Sequence, residues 1–174
     1  MPVQYESMVT INDEVKEIIQ YYAKKLPRFE DGRINYSPSF KAPVLTVFVV
    51  FHNRLLLLKR SNQVSTYQGK WNTVAGYLDD YQQTLKEKIH EELREETGII
   101  PTIIQDYLFG SRYQFTDTNA KKTWIVFPAK VILSKKPSIQ LDWEHTDFQW
   151  IAPEDITNFD TVPNLKKSLF AVIP

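Results

Sequence analysis

Residues 76–99 read GYLDDYQQTLKEKIHEELREETGI, and the fold turns on how this stretch is laid out in space. Thr84 followed three residues later by Glu87 is a capping box, and Gly98 sits where a helix ends in a left-handed glycine. The spacing therefore predicts a helix from about Leu85 to Thr97. At about 100° per residue, Leu85, Ile89 and Leu93 form an apolar stripe roughly 80° wide, and Glu92 and Glu96 fall within about 20° of the Leu85 direction. Glu95 lies on its flank. A solvated acidic face belongs opposite the apolar stripe, and like charges at i and i+4 repel. Carboxylates that share the inward face make better chemical sense around a cation. Hard divalent ions such as Mg²⁺ take oxygen ligands and bridge to phosphates. With no Cys and three His, an Mg²⁺ or Mn²⁺ carboxylate site is the metal chemistry this chain supports.

Outward from the helix, Trp71 to Leu78 leads into it and Ser61 to Lys70 is polar and loop-like. Val44 to Phe51 is β-branched and aromatic, Leu55 to Leu58 is a second apolar run, and His52-Asn53 sits between them, which predicts a hairpin at the heart of a sheet. Beyond the helix, strands are expected at about 103–116 and 122–133, joined by the turn Asp117-Thr-Asn-Ala, with a short one at Phe148 to Ile151. A small helix at Pro153 to Ile156 and a last helix over Val162–Val172, with Pro163 in its first turn, close the chain. At the other end, Ile11, Val15, Ile18, Ile19, Tyr22 and Leu26 recur at helical spacing until Pro27. Residues 1–43 thus read as an N-terminal helical extension and connector, packed on the main domain or on a partner, and 44–174 as the domain proper. The fold class is α+β, a layered α/β/α arrangement.

Composition narrows the function. The chain has 174 residues, 43% of them hydrophobic, enough for one real core. Lys plus Arg and Asp plus Glu are 21 each, so net charge is zero and the basic excess of a nucleic-acid binder is missing. The absence of cysteine removes disulfides, thiolate zinc sites and cysteine nucleophiles. The N-terminus lacks the regions of a signal peptide and the apolar runs are too short to span a bilayer, so a soluble cytoplasmic protein is expected.

The run Glu92-Leu93-Arg94-Glu95-Glu96-Thr97-Gly98-Ile99 resembles the second half of the Nudix box, with Gly76 as its opening glycine. The resemblance implies a mixed sheet between helices and a metal-dependent hydrolase that cleaves a diphosphate linkage in a nucleoside diphosphate derivative. It implies Glu92, Glu95 and Glu96 as catalytic and metal-binding residues, and the carbonyl of Ala75 as a further ligand. Glu144, six residues before Trp150, corresponds to a ligand or general base in some members; an ordinary loop carboxylate is the alternative, and His145 beside it is another candidate base. Lys59 and Arg60, and with them Lys70, are candidates for substrate phosphates. Tyr113, Phe115 and Trp124 are candidates to sandwich a base, or to pack as cross-strand core. Three departures stand out. Gln82 or Gln83 replaces the first box glutamate, the spacing is one residue long, and Glu91 replaces the box arginine that helps hold the glutamates in position. These favour an alternative, a nucleotide-binding or regulatory module with weak catalysis. An isomerase of the same fold is disfavoured because its chemistry uses a cysteine. His90 projects away from the carboxylates. The amphipathic N-terminal helix is also a candidate seal for a homodimer.

Overall fold

The computed structural model describes Tyr5 and residues 7–174. At its centre are β1 (Lys41–Phe51) and β2 (Arg54–Arg60), joined by His52 and Asn53 with φ of 45° and 59°. Positive φ at both turn residues matches the right-handed twist of the strands. Leu45, Val47 and Val49, with Leu56 and Leu58, face one apolar core; Phe48, with Leu55 and Leu57, faces another. Burial on both faces is why these strands are continuously apolar rather than alternating.

The remaining strands are β3 (Trp71–Asn72), β4 (Val74–Tyr77), β5 (Ile104–Phe109), β6 (Tyr113–Asp117), β7 (Lys122–Leu133) and β8 (His145–Ile151). They form one mixed eight-stranded sheet in the order β3-β2-β1-β7-β5, with β4 on β1, β6 on β7 and β8 on β2. The β1–β7 pairing is parallel and runs from Lys41↔Thr123 to Val50↔Ile132. The helices are α1 (Met8–Ala23), α2 (Leu85–Thr97) and α3 (Leu165–Phe170). α1 and α2 share the first core, while Leu165 and Leu169 of α3 belong to the second, so the sheet is layered between helices. Among the described residues, no helix is long and apolar enough to cross a membrane.

α2 has the predicted ends: Thr84 and Glu87 make both capping-box bonds, and Gly98 caps at φ 73°. Other boundaries differ from expectation for identifiable reasons. The strand expected over 103–116 is two, β5 and β6, both on the same edge of β7. Pro128 of β7 lies opposite the break and has no N–H to give, although its carbonyl accepts from Gly110 at 3.0 Å. The last helix begins at Leu165, not Val162, because Trp71 bonds to Asp160 and Val162 through backbone groups and Asn164 then turns left-handed at φ 61°. β8 starts at His145 and pairs with β2 along its length.

Ile11, Val15, Ile19 and Tyr22 of α1 lie in the same core as Leu45, Ile89 and Val131. The apolar stripe considered as a dimer seal is therefore covered within the chain itself. Asn12 Oδ1 accepts from the Leu85 N–H at 3.0 Å, so α1 also helps satisfy the start of α2. In the connector, Ile34 and Tyr36 are buried; Ile34 N–H bonds to the Asp79 carbonyl and Tyr36 hydroxyl to that of Leu78. The N-terminal segment thereby braces the approach to α2.

Candidate active site

The inward face of α2 carries Leu85, Lys88, Ile89, Glu92, Leu93, Glu96 and Thr97, all buried. Three of these are ionisable, and each meets a different partner. Lys88 Nζ lies 2.7 Å from Glu92 Oε1, 2.9 Å from Glu91 Oε2 and 3.5 Å from Asp79 Oδ1. Burial opposes the Lys88 charge, but the neighbouring Glu92 and Asp79 carboxylates outweigh it and hold the ammonium above the usual lysine range. Glu92 moves the other way. Burial pushes it up to about 7, and the Lys88 charge only partly counters that.

Glu96 is the most confined group. Burial, then the negative charges of Glu92, Glu144 and Asp142, drive its pKa well upward, against a bond from the Ala75 N–H. Glu96 Oε2 is buried and has no hydrogen-bond partner. The nearest cationic candidate, His145 Nε2, is 3.8 Å away. His145 Nδ1 already sits 2.9 Å from Asp142 Oδ1, and burial holds the ring towards its neutral form. An orphaned carboxylate oxygen among three other acids is what a bound cation would satisfy. Among the described residues, no group of three or more His, Asp or Glu side chains is already arranged to hold an ion. Mg²⁺ commonly takes only one or two carboxylates and completes its shell with water and substrate phosphate, so the donor set present still fits it.

β4 delivers its backbone to this helix face. A Cβ built at Gly76 would collide with the Glu92 carboxylate, so a glycine is needed for the approach. Above it opens a cavity of about 370 Å³ lined by Glu92, Glu95, Glu144, Arg60, Ala75 and Gly76, among others. Glu95 is exposed. Burial, then Asp142, raises the Glu144 carboxyl. Arg60 Nε donates to the Thr66 carbonyl at 3.0 Å.

The far wall is aromatic. Tyr113, Phe115 and Trp124 all line it, with Tyr113 and Phe115 stacked at 6.3 Å. Tyr113 hydroxyl pairs with Ser168 Oγ at 2.6 Å, and Trp124 Nε1 donates to Tyr67 hydroxyl, which donates to Asp117 Oδ2. Two expected phosphate contacts are not brought to the cavity. Lys59 alternates with Arg60 along β2 and points to the opposite side, where its Nζ lies 6.0 Å from the Trp71 ring centroid. Lys70 pairs with Asp160 at 2.7 Å. His90, as expected, faces elsewhere and meets the Tyr107 hydroxyl at 2.6 Å.

Residues 41–172 match the NUDIX domain family. The chain belongs to the Nudix family. Its chemistry is that of a Nudix-type pyrophosphohydrolase. A nucleoside triphosphatase of Escherichia coli, NudI, is 22% identical over 119 residues, 66% of this chain and 84% of that one. The MutT protein of Methanosarcina mazei superposes with a TM-score of 0.60 at 26% identity, covering 75% of this chain and 90% of its own. The Nudix domain of Shewanella oneidensis NrtR, solved with ADP-ribose, gives 0.59 at 15% identity over 74% and 85%.

The structure also shows how the altered Nudix box is accommodated. Gln83, not Gln82, faces the helix: its Nε2 donates to Glu91 Oε2 at 3.1 Å, while Gln82 meets the Tyr81 hydroxyl. Sequence reasoning missed Asp79, Asp142, Tyr67 and Arg33 in this neighbourhood and gave Lys88 no part in it. The signal for Lys88 was its place one turn before Glu92, on the same inward face.

Proposed function

We propose that this Nudix domain hydrolyses a diphosphate linkage in a nucleoside diphosphate derivative, with Mg²⁺ or Mn²⁺ held by one or two of the carboxylates of Glu92, Glu95 and Glu96 together with the Ala75 carbonyl. The observation that carries this is the unpartnered, buried Oε2 of Glu96 beside the cavity. When bound, a divalent ion supplies positive charge to phosphate oxygens and lowers the pKa of water. Glu144, with a carboxyl raised by burial, takes a proton from the attacking water; the water oxygen bonds to phosphorus as the bridging P–O bond breaks. The Arg60 guanidinium, whose remaining N–H groups are donors for phosphate, orients the chain of phosphates. Tyr113 and Trp124, with Phe115, offer an apolar wall to a base. A balanced net charge favours a small molecule over nucleic acid as the ligand, and the reading requires no second copy of the chain.

A second reading is favoured by one observation: Glu91 stands where the box arginine belongs, and the Lys88 ammonium sits 2.7 Å from Glu92 Oε1. That suits a module that binds a nucleotide diphosphate and turns it over weakly. The deciding experiment is a hydrolysis panel with Mg²⁺ and Mn²⁺ on the parent and Glu96→Gln. It should span nucleoside triphosphates, dinucleoside polyphosphates, ADP-ribose, nucleotide sugars and dinucleotide cofactors. Metal-dependent turnover that disappears in a folded Glu96→Gln variant is expected; binding without turnover across the panel would replace the hydrolase reading with the second.

A further inference from the structure

The loss of the box arginine leaves a question that the structure answers with a different residue. Glu91 replaces it in sequence, and its negative charge opposes that of Glu92. Yet Glu91 does not act as a loose negative charge. Its Oε2 accepts from Gln83 at 3.1 Å and from Lys88 at 2.9 Å. Lys88, whose side chain is 5% exposed, reaches Glu92 Oε1 at 2.7 Å and Asp79 Oδ1 at 3.5 Å, and Asp79 is in turn 3.8 Å from Arg33. An ammonium has three donor hydrogens and no acceptor. Here three carboxylates surround it, one for each hydrogen. Positions 88, 91 and 92 are related by i, i+3 and i, i+4, so one helix face brings them together without tertiary adjustment.

We propose that Lys88 is the positioning residue for Glu92, doing from one turn upstream what the Nudix pattern assigns to an arginine at position 91, with Glu91 and Asp79 recruited to hold the ammonium. Its consequence for turnover rests on the hydrolase reading; the placement of Glu92 does not. Because the three donors are occupied by protein carboxylates, Lys88 has none left for a substrate phosphate. Its removal therefore alters kcat and metal affinity while KM stays near that of the parent. The arrangement also predicts that the cation can be moved: an arginine restored at position 91 should make Lys88 dispensable.

The test compares Lys88→Met, Lys88→Arg and the double variant Lys88→Met/Glu91→Arg with the parent, as full chains. Mn²⁺ affinity of the protein without substrate is read by electron paramagnetic resonance, and kcat and KM with the substrate that the hydrolysis panel identifies. For Lys88→Met we expect a loss of about 10- to 100-fold in Mn²⁺ affinity and in kcat, the range seen when a partner that orients a metal ligand is removed. The double variant should recover most of both. Parental Mn²⁺ affinity and kcat in Lys88→Met would overturn the proposal, as would a rise in KM alone, which would make Lys88 a phosphate contact. If Lys88→Met does not fold, the double variant decides: folded but without recovered Mn²⁺ affinity, it refutes the relocation. A parent that binds Mn²⁺ and hydrolyses nothing removes the hydrolase reading, and the Mn²⁺ titration alone then judges Lys88. A parent that binds no Mn²⁺ overturns both.

Discussion

Gly76→Ala should separate activity from stability in this protein. Gly76 pairs with Leu45 in the β1–β4 ladder, so its backbone is held in place, and a Cβ there would overlap the Glu92 carboxylate. The obstructed atoms are the mobile end of a side chain rather than backbone. The helix can stay where it is while the carboxylate swings away from both Gly76 and the Lys88 ammonium, now 2.7 Å from it. Overpacking of a core costs about 1–3 kcal/mol, and yielding of a side-chain terminus puts this case near the lower figure. For a domain of this size that corresponds to a drop of roughly 2–4 °C in Tm. Displacing a working group by about 1 Å can cost on the order of 100-fold in rate. Calorimetry beside steady-state kinetics would read both. A Tm lowered by a few degrees with kcat reduced about 100-fold is the expected pattern, from the same relation between displacement and rate. Parental kcat in the alanine variant would refute the reasoning, because it would mean that the position of Glu92 against Gly76 does not matter to the chemistry.

Two further outcomes follow from the same geometry. Glu144→Gln should lower kcat by about 10²–10⁴-fold, the usual contribution of a general base, with Tm close to that of the parent; a parental rate would make Glu144 a bystander. Tyr67, at the cavity wall, is pushed up to about 12 by burial and by its bond to Asp117. The raised value in the folded state means that the folded protein keeps this proton longer than the unfolded chain, so the associated stability is present below about pH 10 and is lost as pH rises towards 12. Absorbance titration of tyrosinate should show several tyrosines ionising above the usual range, Tyr36 among them, and one fewer of them in Tyr67→Phe, with alkaline unfolding moved to higher pH; an unchanged titration curve would sink the assignment.

Much of α2 was legible because its information is local. The capping box, the Gly98 terminus and the inward projection of Glu92 and Glu96 follow from a fixed rotation of about 100° per residue, and all three are present in the structure. The hairpin turn at His52-Asn53 was legible for the same reason. The break between β5 and β6 had a visible cause, Pro128, but that residue lies in the partner strand and matters only once pairing is known. The late start of α3 depends on backbone bonds between β3 and residues 160–162, which no local pattern records.

The candidate site divides along the same line. From sequence alone came the acidic trio, by spacing along one helix, and, as what the family resemblance implies, Glu144 and Arg60 as candidates. Which lysines reach the cavity was decided only by tertiary structure: strand alternation turns Lys59 away, Asp160 engages Lys70, and Lys88 is drawn inward among three carboxylates. The fate of a charge depends on what surrounds it after folding, since burial penalises an isolated ion and only partners from several elements can offset that penalty. Glu96 shows the converse. Its inward direction was fixed by its place on the helix, but the absence of any partner for its Oε2 emerged only when β4, β8 and the loop before β8 closed around it.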